Sequence, residues 1–178
     1  MLAQTASQHT ATPAGLQPVE AYKIARVRLR LGPLANLLEN TPRVAFSDRN
    51  VFSEIEQMFP EPKVWPGDFF DVLLTRFHDG TSADEGLKWD PTGFGAVHPR
   101  LLASTLCFHQ ELAKKFGPLY LVGSQEGQAE DDEADPKVGQ YVVAKVTTNV
   151  CSFQLMTARD IDKQDARWYA FSVGRWSQ

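Results

Sequence analysis

The sequence predicts an α+β fold, with a mainly antiparallel sheet of about five strands packed by one long helix over 99–116 and by shorter N-terminal helices. Three observations carry that expectation. The segment "KIARVRLRLG" (23–32) alternates apolar Val27, Leu29 and Leu31 with Arg26, Arg28 and Arg30. A period of two sends successive side chains to opposite faces of a sheet. The segment "PRLLASTLCFHQELAKKFGP" carries helix punctuation at both ends: Pro99 for the first turn, Lys114 and Lys115 for the C-terminal dipole, Gly117 and Pro118 for the stop. Beyond it the chain reads as four short strands, "LYLVG", "GQYVVAKVTTN", "VCSFQLMTAR" and "RWYAFSVGRW".

Taken in order, residues 1–19 are rich in Thr, Ala, Gln and Pro without apolar periodicity, and predict a flexible N-terminal tail. A single α+β domain then occupies 20–178. Gly32 and Pro33 end the first strand, and "PLANLLEN" suits a short helix. In "SDRNVFSEIEQMFP", Val51, Phe52, Ile55, Met58 and Phe59 recur at helical spacing, with a cap available from Ser47, Asp48 or Asn50 and a stop at Pro60. The segment "DFFDVLLTRFHDG" suits a helix face on Phe69, Phe70, Leu73, Leu74 and Phe77, and its length and phenylalanine content also suit a buried strand; we read it as a helix. Residues 80–98, with four glycines, form a long loop of the kind that serves binding. Val142, Ala144 and Val146 are apolar at even positions, whereas Cys151, Phe153 and Leu155 are apolar at odd ones, so a turn is expected around Thr147–Asn149. "DIDKQDA" (160–166) reads as the turn into the last strand.

Composition narrows the function classes. With 43% hydrophobic and 22% charged residues the 178-residue chain is that of a globular domain. No run approaches the roughly 18 apolar residues that cross a bilayer, and the first 22 residues lack Lys and Arg, so a cytoplasmic protein without a membrane span is expected. Cys107 and Cys151 are too few for a disulfide framework and lack zinc spacing. The net charge of −4 is uneven: the acidic loop at 124–137 alone carries −5, which leaves +1 for the rest. The body is therefore not basic enough to imply nucleic-acid binding outright.

Motif searches return little. The chain has no Walker A sequence, no G-x-G-x-x-G and no G-x-S-x-G; in "GSQEG" the serine directly follows the first glycine. Of the four histidines, His9 lies in the predicted tail, while His98 and His109 belong to the long helix. His78 is the most suggestive, because "FHDG" joins it to Asp79 at a turn, with Asp84 and Glu85 following. A histidine with carboxylates can bind a divalent metal or form an acid–base pair, although Asp and Gly are also ordinary turn residues. Arginines on a strand face can contact phosphates, and "RWYAFSVGRW" adds Trp168 and Trp176 at the two ends of a shallow trough, able to stack a flat ligand or to seat a helix. The ordinary role of the arginines is a solvated face that keeps a sheet edge from aggregating.

The expectation is a non-enzymatic cytoplasmic binding or regulatory protein that recognises a protein or nucleic-acid partner through Arg26, Arg28, Arg30, Trp168 and Trp176, with no cofactor and no metal, and with self-association left open. The alternative is a small hydrolase or metal-assisted enzyme centred on His78, Asp79 and Asp84.

Overall fold

The structure, a computed structural model, describes residues 15–29, 32–34, 36, 50–59, 69–89, 96–109, 111–125, 140–147 and 151–176. Six strands, β1 (Glu20–Arg28), β2 (Phe69–Arg76), β3 (Leu119–Gln125), β4 (Gln140–Val146), β5 (Cys151–Thr157) and β6 (Arg167–Trp176), form one sheet in the order β1-β2-β6-β3-β4-β5. Among the described residues five helices are bounded: α1 (Asn50–Met58), α2 (Ala83–Lys88), α3 (Pro99–Phe108), α4 (Leu112–Phe116) and α5 (Ala158–Asp162). None of the described helices is long and apolar enough to cross a membrane.

The α+β class holds, with three corrections. The sheet is mixed, because β6 runs antiparallel to β2 on one side and parallel to β3 on the other. "FFDVLLTR" (69–76) is a strand rather than a helix. β2 lies between β1 and β6 and is buried on both faces, so its apolar residues run nearly continuously, and such a run has no periodicity to separate strand from helix. The predicted long helix is two. Ser104 and Thr105 bond back to the carbonyls of Arg100 and Leu101 at 2.8 and 2.7 Å, a pattern that bends and weakens a helix, and α3 ends three residues later at the His109 cap. The amide of Leu112 then bonds the His109 carbonyl at 3.1 Å as α4 begins.

Two cores result, one on each face of the sheet. On the first, Val72, Leu74, Leu121, Val142 and Ala170 meet Leu102 and Leu106 of α3 and Phe52 and Ile55 of α1. The second is aromatic: Phe77, Trp89, Tyr141, Tyr169 and Phe171 pack with Ile161 of α5 and Ala83 of α2. Of the predicted tail, residues 1–14 lie outside the described part; Leu16 packs on the second core, and the Val19 amide donates to the Arg76 carbonyl at 2.8 Å. The acidic loop lies outside the described residues from 126 to 137.

Both short helices on the aromatic face are set by side-chain caps. Ser82 accepts from the Glu85 amide while Glu85 accepts from the Ser82 amide, a complete capping box, and the same carboxylate is thereby held below its usual range. Thr157 accepts from the Asp160 amide at 3.3 Å and starts α5, so the first half of "DIDKQDA" is helical rather than a turn.

Candidate binding surface and pocket

Strand β1 is an edge strand, and its basic residues do not form the regular row that the alternation predicts. The register shifts between Ile24 and Val27, so that Ala25 and Arg26 together stand opposite the single residue Asp71. This is a β-bulge, with Arg26 in the left-handed region at φ 54°. Before the bulge Ile24 is buried, and after it Val27 and Leu29 are, so the inward positions change from even to odd. The physical result is that Lys23, Arg26 and Arg28 are all exposed along one edge.

Asp71 organises this edge. Its side chain is 6% exposed, and a buried carboxylate needs charge-assisted hydrogen bonds to offset its lost hydration. The Arg26 amide donates to it at 2.9 Å and the Lys23 ammonium lies 2.8 Å away. Other nearby acids face other cations: Glu20 faces Arg76, Asp160 holds Lys163, and Asp162 holds Arg167. Arg28 makes no ion pair among the described residues, and Arg30 lies outside them.

The proposed aromatic trough is closed. Trp168 is 4% exposed and packs on Phe116 of α4 with ring centroids 4.6 Å apart, so a helix of this chain seats there. The side chain of Trp176 lies outside the described set, and its backbone pairs with Phe69. Cys151 is a buried free thiol, and the side chain of Cys107 also lies outside the described set.

His78, Asp79 and Asp84 do not converge. His78 and Asp79 are exposed and line a small polar pocket of about 90 Å³ where the end of β2 meets the start of β6. Asp84 instead accepts a hydrogen bond from the Tyr141 hydroxyl on the aromatic face. Among the described residues no carboxylate lies within hydrogen-bond reach of His78, and no three His, Cys, Asp or Glu side chains stand close enough to hold a metal ion. His98 caps α3, its Nδ1 accepting from the Arg100 amide at 3.2 Å, and His109 sits at the α3 C-terminus beside Glu111.

Sequence reasoning missed the rest of the pocket. Arg76 and Arg167 enter it from the adjoining strand ends, with Thr81 from one loop and Asp165 from the other. Arg167 is locked, donating to Asp162 at 2.6 Å and to the Thr81 carbonyl at 2.8 Å. Arg76 and Thr81 flank His78 and Asp79 in the same run of chain, whereas Asp165 and Arg167 are marked by no local motif because the antiparallel pairing of β2 with β6 brings them in from a distant part of the chain. Comparison of the chain with protein-family models, curated proteins and solved structures finds no match.

The aromatic face behind the pocket has a measurable signature. Burial pushes the Tyr169 phenol up to about 12, against a lowering by Arg167, and burial followed by the hydrogen bond to Asp84 raises Tyr141 as well. Because both folded values lie above the unfolded value of about 10, the stability tied to the neutral phenols is whole below that pH and falls as pH rises toward the folded values. Tyrosinate absorbance should therefore show two of the four tyrosines ionising late, together with unfolding. A single step for all four near pH ~10 would refute the buried placement.

Proposed function

We propose that the chain is a non-enzymatic binding protein whose contact surface is the β1 edge and whose partner is recognised through the phosphate backbone of a nucleic acid. The reading rests on one observation, the exposure of Lys23, Arg26 and Arg28 together along a single edge strand. A protein partner adding a strand there would meet the bulge and the cations, both of which oppose edge-to-edge pairing. The cytoplasmic setting expected from composition belongs with this reading, as does a regulatory role. The competing enzyme reading keeps the pocket lined by His78 and Asp79, without Asp84 in it.

The test is fluorescence anisotropy with labelled single- and double-stranded oligonucleotides, titrated between about 50 and 200 mM salt. The double variant Arg26→Gln/Arg28→Gln keeps Lys23 on Asp71 and removes two exposed charges, so folding should persist. Binding should weaken, and the salt slope should flatten by roughly 0.7–0.9 for each arginine that meets a phosphate. An unchanged slope, or no binding by the parent protein, would overturn the reading and return the cations to edge protection.

A further inference from the structure

We propose that the pocket at the shared end of β2 and β6 binds a free α-amino acid with a small side chain, its carboxylate on the Arg76 guanidinium and its ammonium on Asp79 and Asp165. The argument starts from which charged groups there have hydrogen-bonding capacity left. Arg167 and Asp162 satisfy one another, and Asp162 also accepts from the Ala83 amide at 2.8 Å, so this pair is part of the wall. Arg76 is different. Its two contacts, with Glu20 and with Asp79, are both 3.9 Å long, beyond hydrogen-bond distance, and its side chain is 35% exposed. Asp79 has no closer partner, and Asp165 makes no ion pair among the described residues.

The unsatisfied set is therefore one guanidinium and two carboxylates around one small space. An inorganic anion would meet Arg76 together with both acids, and a simple cation would meet the acids together with Arg76. A molecule with both charges one carbon apart satisfies both signs. Arg76 and Asp79 stand 3.9 Å apart without a hydrogen bond between them, so each keeps hydrogen-bonding capacity on its open side for one head group of the ligand. The volume of about 90 Å³ is well under that of pockets for drug-sized ligands or cofactors, and it suits a ligand of glycine or alanine size.

Two further features fit a built site. Ala166, on the rim between Asp165 and Arg167, holds φ at 54°, a conformation unfavourable for an L-residue that persists only where the surrounding structure imposes it. Tyr169 contributes to the lining, and its hydroxyl is buried without a hydrogen-bond partner.

Calorimetric titration of the full chain with glycine, and separately with acetate and methylammonium, tests the proposal, with ligand-observed NMR covering weak affinities. Glycine should bind saturably, and each half-ligand at least about tenfold more weakly. Arg76→Gln and Asp165→Asn should each weaken glycine by about tenfold or more, with circular dichroism confirming the fold, while the outward Lys163→Gln should not. No saturable glycine binding, acetate binding as tightly as glycine, or indifference to both pocket variants would each overturn the proposal. None of these results bears on the β1 edge, whose test uses different residues and a different ligand.

Discussion

Trp168→Ala should lower stability by about 3–5 kcal/mol, which for a chain of this length is a fall in Tm of roughly 6–20 °C. The indole is 4% exposed and lies between the sheet and Phe116, so its removal leaves a cavity as well as forfeiting buried apolar area. Denaturation followed by circular dichroism measures the loss. Arg28→Gln, an exposed change on the same sheet, should stay within about 0.5 kcal/mol of the parent and serves as the comparison. If Trp168→Ala is as stable as the parent, the indole is not a core residue and the stacking role regains its basis.

Gly86→Ala carries the next largest effect, with a sign opposite to the one helix propensity gives. Alanine in place of glycine in a helix should stabilise by up to about 1 kcal/mol. Here the added Cβ would stand 2.5, 2.6 and 2.9 Å from three ring carbons of Tyr169. That ring is 2% exposed and packs edge-on to Phe77, so it has little room to withdraw. We expect a net loss of about 1–3 kcal/mol, the ordinary range for overpacking. The variant Gly86→Ala/Tyr169→Leu should recover much of the loss, since it removes the opposing ring. Stabilisation by Gly86→Ala alone would show that α2 does not rest on Tyr169.

How far the sequence could be read follows from the range of each interaction. The start of α3 at Pro99 and the strands "QYVVAKV" and "CSFQLMT" are legible in the sequence because capping and alternation act between neighbours. The capping signals Ser82 to Glu85 and Thr157 to Asp160 are equally local, and they start helices where the glycines of 80–98 suggest a loop and the polar run 160–166 a turn. β2 was not legible, because burial on both faces erases the alternation by which a strand is recognised. The bulge at Arg26 was hidden for a different reason: the basic residues alternate in sequence whether or not the backbone does, and what fixes the bulge is Asp71, 45 residues away. Arg76, His78 and Asp79 share the pocket as near neighbours in the chain, but Asp165 meets them only through the pairing of β2 with β6.

The position of β6 also bears on how the chain is made. It lies between β2 and β3, yet Tyr169 is 94 residues beyond its neighbour Thr75. At about 5–20 residues per second, a ribosome needs roughly 5–20 s to synthesise that interval. During this time the antiparallel β1–β2 pair and the β3–β4–β5 meander can each form, but each is left with an open inner edge that only β6 can close. The nascent chain therefore waits as two half-sheets whose apolar edges are free to meet a chaperone or another chain, and the last strand synthesised of the six joins them in one step.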